Sequence, residues 1–174
     1  MARATKMKYG FPVILFIWLY LDGIIGAAFQ PQLFHYPYAM SSYLVVLWLV
    51  FTVLFEGPHN NHLEIWAAIV GCVFDLYYTG ILGVFVFVFP IVVLVTKVGY
   101  REFPVSFLSG LLIVFIDITI VTFASFVANM VTHLTSASVA DMLVYSLGPT
   151  LAYNLAAFVI LYYPIQRLFD WMSS

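Results

Sequence analysis

The chain has 174 residues, of which 64% are hydrophobic and 8% charged. A soluble domain is about 45–50% apolar and about 25% charged. Six Lys/Arg and eight Asp/Glu are too few to cover a water-soluble globule of this length, which excludes a soluble enzyme, a disordered tail and a nucleic-acid binder. The remaining class is a polytopic membrane protein, all-α because the apolar runs are continuous and do not alternate with period two. Six helices of about 20 residues use about 120 residues and leave room only for short loops.

In chain order, apolar runs occupy residues 11–30, 38–55, 63–79, 81–96, 104–129 and 142–163 of one transmembrane domain spanning 1–174. The breaks carry Gly and Pro, the usual punctuation. Gln30-Pro31-Gln32 and Tyr36-Pro37 end the first run, and Glu56-Gly57-Pro58-His59-Asn60-Asn61-His62 ends the second. Thr79-Gly80 divides the third from the fourth, Lys97 to Pro104 follows the fourth, and Met130 to Asp141 follows the fifth. Gly148-Pro149 predicts a kink early in the sixth.

Residues 63–96 form either one helix or two. A single helix of 34 residues extends about 50 Å, well beyond a hydrocarbon core of about 30 Å. Charge favours two. Arg3, Lys6 and Lys8 precede the first run and place it with its start in the cytoplasm. Six spans then put Lys97, Arg101 and Arg167 on the same side, whereas five would put them outside. The expectation is six spans with both termini cytoplasmic and no extramembrane domain. Gly26-Ala27-Ala28 imitates a signal-peptide cleavage site, but the apolar run is too long and contains Asp22, so an uncleaved first span is expected.

Asp22, Asp75 and Asp117 lie inside apolar runs, and Asp141 begins the last one. A charged Asp at the bilayer centre costs about 2.5–3.5 kcal/mol on insertion scales. Each is therefore expected to face the interior, to be protonated, or to bond neighbouring hydroxyls and amides. Thr119, Thr122, Ser125, Asn129, Thr150, Tyr153 and Asn154 supply such partners. A proton or cation relay competes with simple helix-packing hydrogen bonds. Ala67, Gly71, Asp75 and Thr79 recur every fourth position and make one narrow stripe, with Gly80 and Gly83 following at the return. That spacing describes a closely packed helical hairpin with one buried acid. Gly23-x-x-x-Ala27 is a second, weaker small-residue pair.

No histidine falls inside a run, which disfavours an intramembrane Ser-His hydrolase. His59-x-x-His62, flanked by Glu56 and Glu64, has the types of residue a metal uses, but reads better as a solvated loop. No metal site, catalytic residue or cofactor is assigned. Cys72 excludes an internal disulfide framework and reads as an inert core thiol. Trp and Tyr near the run ends fit interfacial belts.

Residues 67–98 read AAIVGCVFDLYYTGILGVFVFVFPIVVLVTKV. This stretch resembles the hairpin of the MreD family of rod-shape-determining bacterial membrane proteins. The matching positions are Gly71, Asp75, Gly80 and Gly83, with an apolar return ending in basic residues and a final Pro164 followed by Arg167. The resemblance implies a multi-pass protein of the bacterial cytoplasmic membrane. Its bundle is expected to be similar to the substrate-binding subunits of energy-coupling-factor transporters. The resemblance also implies a role in cell elongation as a membrane platform for MreC, and through it for MreB, RodA and a class B penicillin-binding protein. No enzymatic activity is implied, and self-association into a homo-oligomer is left open. Gly71, Asp75, Gly80 and Gly83 carry over as packing positions. Asp22, Asp117, Asp141 and Asn154 match no motif and are candidates for a polar interior.

Three functions fit these residues. The first is a non-enzymatic scaffold supporting peptidoglycan synthesis and cell shape. The second is a vitamin-binding transporter subunit, with Asp75, Asp117, Asp141 and Asn154 around a ligand. The third is a small proton-coupled exporter using Asp22 and Asp117.

Overall fold

A computed structural model describes residues 2–29, 38–58, 62–80 and 83–173. Every regular element among them is helical. Helix α1 is Ala2–Ala28 and α2 is Leu44–Glu56. Helix α3 is Leu63–Phe74, widened into a π turn over Asp75–Thr79. Helices α4 and α5 are Val84–Glu102 and Phe107–Val131. Helix α6, Gly148–Ser173, is entered through a short turn, Val139–Asp141, and a π segment, Met142–Leu147. Four stretches are long and apolar enough to cross a membrane: Gly10–Ala28, Val84–Glu102, Phe107–Val131 and Val139–Met172. The loop with Gln30-Pro31-Gln32, His35 and Tyr36-Pro37 lies outside the described residues, as does His59-Asn60-Asn61.

Helix α2 is the axis of the bundle. It is apolar on every side, a pattern that demands burial on every side. Residues 44–54 are all buried, sheathed by α1, α4, α5 and α6. Trp48 is stacked among Phe11, Trp18 and Phe169, while Phe51 stacks on Phe158. Thirteen residues reach only about 20 Å. The helix is shorter than its apolar run because residues 38–43 are not helical. They enter the bundle in open conformation, so the first N–H groups of α2 are buried and need acceptors.

Helices α3 and α4 form an antiparallel hairpin. Phe74 lies against Phe85 and Phe89 across the crossing. Gly80 and Gly83 hold the turn with φ of +68° and +105°, left-handed backbone that glycine adopts without a Cβ clash. At the far end the Lys97 ammonium meets the Glu64 carboxylate at 2.6 Å, with both side chains largely buried. Glu64 therefore closes the hairpin, although sequence placed it beside a solvated loop. Glu64→Lys alone should lower the detergent melting temperature, and adding Lys97→Glu should restore most of the loss. Pairs in direct contact couple by about 0.5–3 kcal/mol. Additive losses in that cycle would show that the pair contributes nothing.

The first and last helices share an end, since Gly10 lies against Met172. Outward faces are apolar: Ile17, Tyr20, Phe87, Leu94, Leu108, Phe123 and Ile160 are all exposed. The protein therefore turns apolar side chains both inward and outward, the arrangement that a lipid solvent allows.

Candidate functional site

The polar interior gathers at one end of the bundle, where two carboxylates each cap a helix belonging to a different part of the chain. Asp22, on α1, faces the buried start of α2. Its Oδ1 accepts from the Ser42 hydroxyl at 2.6 Å and from Leu44 N–H at 2.9 Å, and its Oδ2 accepts from Val45 N–H at 2.9 Å. Asn154, on α6, completes the entry. Its Oδ1 accepts from Tyr43 N–H at 2.9 Å, and its Nδ2 donates to Ser41 O and Thr150 O, both at 2.8 Å. Ser41 N–H donates to the Thr150 hydroxyl at 3.1 Å, and Ala39 N–H to Tyr145 O at 2.8 Å. Asp22 and Asn154 thus hold the same irregular segment from opposite sides. The negative charge of Asp22 also faces the positive end of the α2 dipole, so no basic side chain is required.

Asp75 repeats the device inside the hairpin. It is fully buried. Its oxygens accept from Gly83 N–H at 2.9 Å, Phe85 N–H at 3.0 Å and Val86 N–H at 3.3 Å, the first turn of α4. The π turn ends where Gly80 N–H donates to Asp75 O at 2.9 Å. Gly71 brings the arms together. A Cβ there would fall on the Phe85 carbonyl and 2.8 Å from Val86 N. Gly71, Asp75, Gly80 and Gly83 therefore meet in one turn, with Gly71 on the helix crossing and the others around the cap. Nearby, Gly23 leaves space for the Tyr78 ring, whose hydroxyl donates to Leu19 O at 3.1 Å. It is a side chain, not a second helix backbone, that uses this gap.

Asp117 is different. It is fully buried on α5, far along the sequence from either cap. Its Oδ2 lies 2.7 Å from the Thr96 hydroxyl, which also donates to Val92 O at 2.9 Å. Its Oδ1 has no partner among the described residues, and neither does the hydroxyl of buried Thr122. One hydroxyl proton shared between two acceptors is poor compensation for a buried carboxyl. Asp117→Asn should accordingly leave stability unchanged or raise it by no more than about 1 kcal/mol, read as an equal or slightly higher melting temperature. A loss as large as that of a cap variant would show that the carboxyl has a further structural role.

Asp141 does not belong to the polar interior expected for it. It is exposed, and its carboxylate accepts from Ser138 N–H at 3.1 Å and the Ser138 hydroxyl at 2.7 Å while Ser138 caps Asp141 N–H, a reciprocal capping box. The cause is local, since Ser138-x-x-Asp141 satisfies its own helix start before the chain enters the bundle. The irregularity expected at Gly148-Pro149 falls just upstream, in the π segment Met142–Leu147. His62 is exposed at the start of α3 and His133 takes a left-handed turn with φ of 56°. His35 and His59 lie outside the described residues. Among the described residues no group of three His, Cys, Asp or Glu side chains converges on a point.

Sequence reasoning missed Ser42 and Thr96 as partners of the buried acids, and Tyr43 as a partner of Asn154. Ser41-Ser42 immediately before an apolar run is a helix-start signal that hydropathy alone overlooks.

Fold and site together define an all-helical integral membrane protein whose buried carboxylates tie helix ends into a bundle. The family model described as rod shape-determining protein MreD matches residues 7–172. The chain belongs to that family and is a rod-shape-determining membrane protein. No curated protein and no solved structure matches it.

Proposed function

We propose that this protein is a non-enzymatic scaffold of the bacterial cell-elongation machinery. It resides in the cytoplasmic membrane with six spans and both termini inside, binds MreC, and through it supports peptidoglycan synthesis. RodA, a class B penicillin-binding protein and MreB are reached indirectly. Family membership supplies the setting. The observation that carries the mechanism is how the interior acids are used. Asp22 and Asp75 are occupied by helix-start N–H groups, so they stabilise a rigid body and do not line a relay. What the protein offers a partner is its apolar flank. The membrane anchor of MreC packs along that flank, and because membrane contacts are worth only about 0.6–2 kcal/mol each, recognition needs an extended face.

The test is co-expression with MreC from the same organism, followed by purification through a tag on the full chain. MreC is expected in the purified complex. Bulky substitutions on exposed positions, such as Ile17→Trp on α1 or Leu94→Trp on α4, should reduce its recovery on one flank only, at unchanged melting temperature. Failure to recover MreC with a folded, monodisperse protein sinks this reading.

The transporter alternatives have less support. Of Asp75, Asp117, Asp141 and Asn154, only Asp141 lines the polar cleft of this end. Asp75, Asp117 and Asn154 do not line it.

A further inference from the structure

A cleft of about 740 Å³ opens at the capped end of the bundle, within the range of about 300–1,000 Å³ typical of small-molecule sites. Three elements wall it. The open segment 39–43 forms one side, the last turns of α5 another, and the π segment with the preceding loop the third. Each wall is fixed. Ala39 is bonded to Tyr145 O and Ser41 to Thr150, while Leu134 N–H donates to Asn129 O at 2.8 Å and the Ser138–Asp141 box holds the rim. The site is thus built before any ligand arrives, which lowers the ordering cost of binding.

The lining defines the ligand. Tyr43, Thr122, Ser125, Asn129, Asp141 and Tyr145 supply hydroxyl, amide and carboxylate groups alongside aromatic rings. Hydroxyls and amides both donate and accept. Among the described residues no Lys, Arg or His lines the cleft, and the one charged group among them is the Asp141 carboxylate, a lining that favours a neutral ligand over an anion. An apolar ligand would strand the wall oxygens without partners. We propose that this cleft binds a neutral polyhydroxyl group of sugar-ring size, its hydroxyls meeting Ser125, Asn129 and Asp141 and its apolar face resting on a tyrosine ring. Such a group is carried either by a soluble saccharide or by the headgroup of a neutral glycolipid.

The experiment uses the full chain in a detergent without a sugar headgroup. Methyl β-glucoside is titrated in one arm. In the other, the protein is reconstituted into phosphatidylcholine vesicles with or without a monoglucosyl diacylglycerol. Asn129→Ala and Ser125→Ala are compared with the unaltered protein; both sit on α5 and alanine favours helix. The melting temperature should rise with the glucoside, or only with the glycolipid, and each alanine variant should lose at least half the shift. The first pattern assigns a soluble ligand and the second a lipid. No shift in either arm, a shift that both variants retain, or a larger shift with inorganic phosphate overturns the proposal. Because MreC recovery is a separate readout, the scaffold reading and this one fail independently.

Discussion

Gly71→Leu should abolish recovery of folded protein, with loss of the monodisperse peak in size-exclusion chromatography as the measurement. The reason is what lies opposite. A Cβ at this position meets the Phe85 carbonyl and the Val86 nitrogen, which are backbone atoms of α4 and cannot rotate away. Nor can α4 retreat as a body, because its first turn is bonded to Asp75 and its flank packs through the Phe85 and Phe89 rings against Phe74. Overpacking alone typically costs about 1–3 kcal/mol. Relief by separating the arms would also strand the N–H groups that Asp75 serves, at about 1–3 kcal/mol each. Gly71→Ala should already lower the melting temperature clearly. Gly80→Ala is the control. Among the described residues nothing stands within 4 Å of a Cβ there, and the φ of +68° opposes it at about 1–2 kcal/mol. If Gly71→Ala melts no lower than Gly80→Ala, the crossing is looser than its geometry implies.

Much of this hairpin was legible because it is local. Gly71, Asp75, Gly80 and Gly83 lie within thirteen consecutive residues, and a four-residue period on a helix converts directly into a shared face. The other cap was not legible in the same way. Asp22 serves Leu44 and Val45 across a loop, and Asn154 reaches Tyr43 over 111 residues of separation. Hydropathy sees residues 38–43 as the beginning of a span; groups distant in sequence, the Asp22, Thr150 and Asn154 side chains and the Tyr145 carbonyl, hold them open and make α2 a short central helix. Asp141 shows the opposite failure. Its partner Ser138 is three residues away, so its role was readable as a capping box, but its place beside an apolar run suggested burial. Glu64 and Lys97 were visible as charges at the two ends of the hairpin, and only the antiparallel register makes them neighbours. The exposed apolar flanks carry no positional signal at all in the sequence, since lipid accepts any apolar side chain.

Alanine at Asp22 and at Asp75 should each destabilise the protein by about 3 kcal/mol or more, and asparagine by roughly half as much. Asp22→Ala leaves the Ser42 hydroxyl and the Leu44 and Val45 N–H groups without acceptors. Asp75→Ala does the same to Gly83, Phe85 and Val86. An ordinary solvent-exposed cap loses about 0.5–2 kcal/mol on truncation because water replaces it. These helix starts are buried, so water is a poor substitute and the upper end of that range is exceeded. Asparagine keeps one accepting oxygen but loses the charge that the helix dipole favours, hence its intermediate place. The order expected from thermal melting in detergent is Asp117→Asn mildest, the two asparagine cap variants next and the alanine variants last. Amide hydrogen exchange separates the two caps. Asp22→Ala should raise exchange at Leu44 and Val45 while sparing Phe85 and Val86, and Asp75→Ala should do the reverse. A uniform rise along the whole chain in both variants would mean that the carboxylates stabilise the bundle as a whole, without capping particular helices. The discrimination matters for function. On the scaffold role proposed above, a protein whose two caps open independently can lose the hairpin and keep the α1–α2 face, so each alanine variant should impair MreC recovery only where its own helices form the contact.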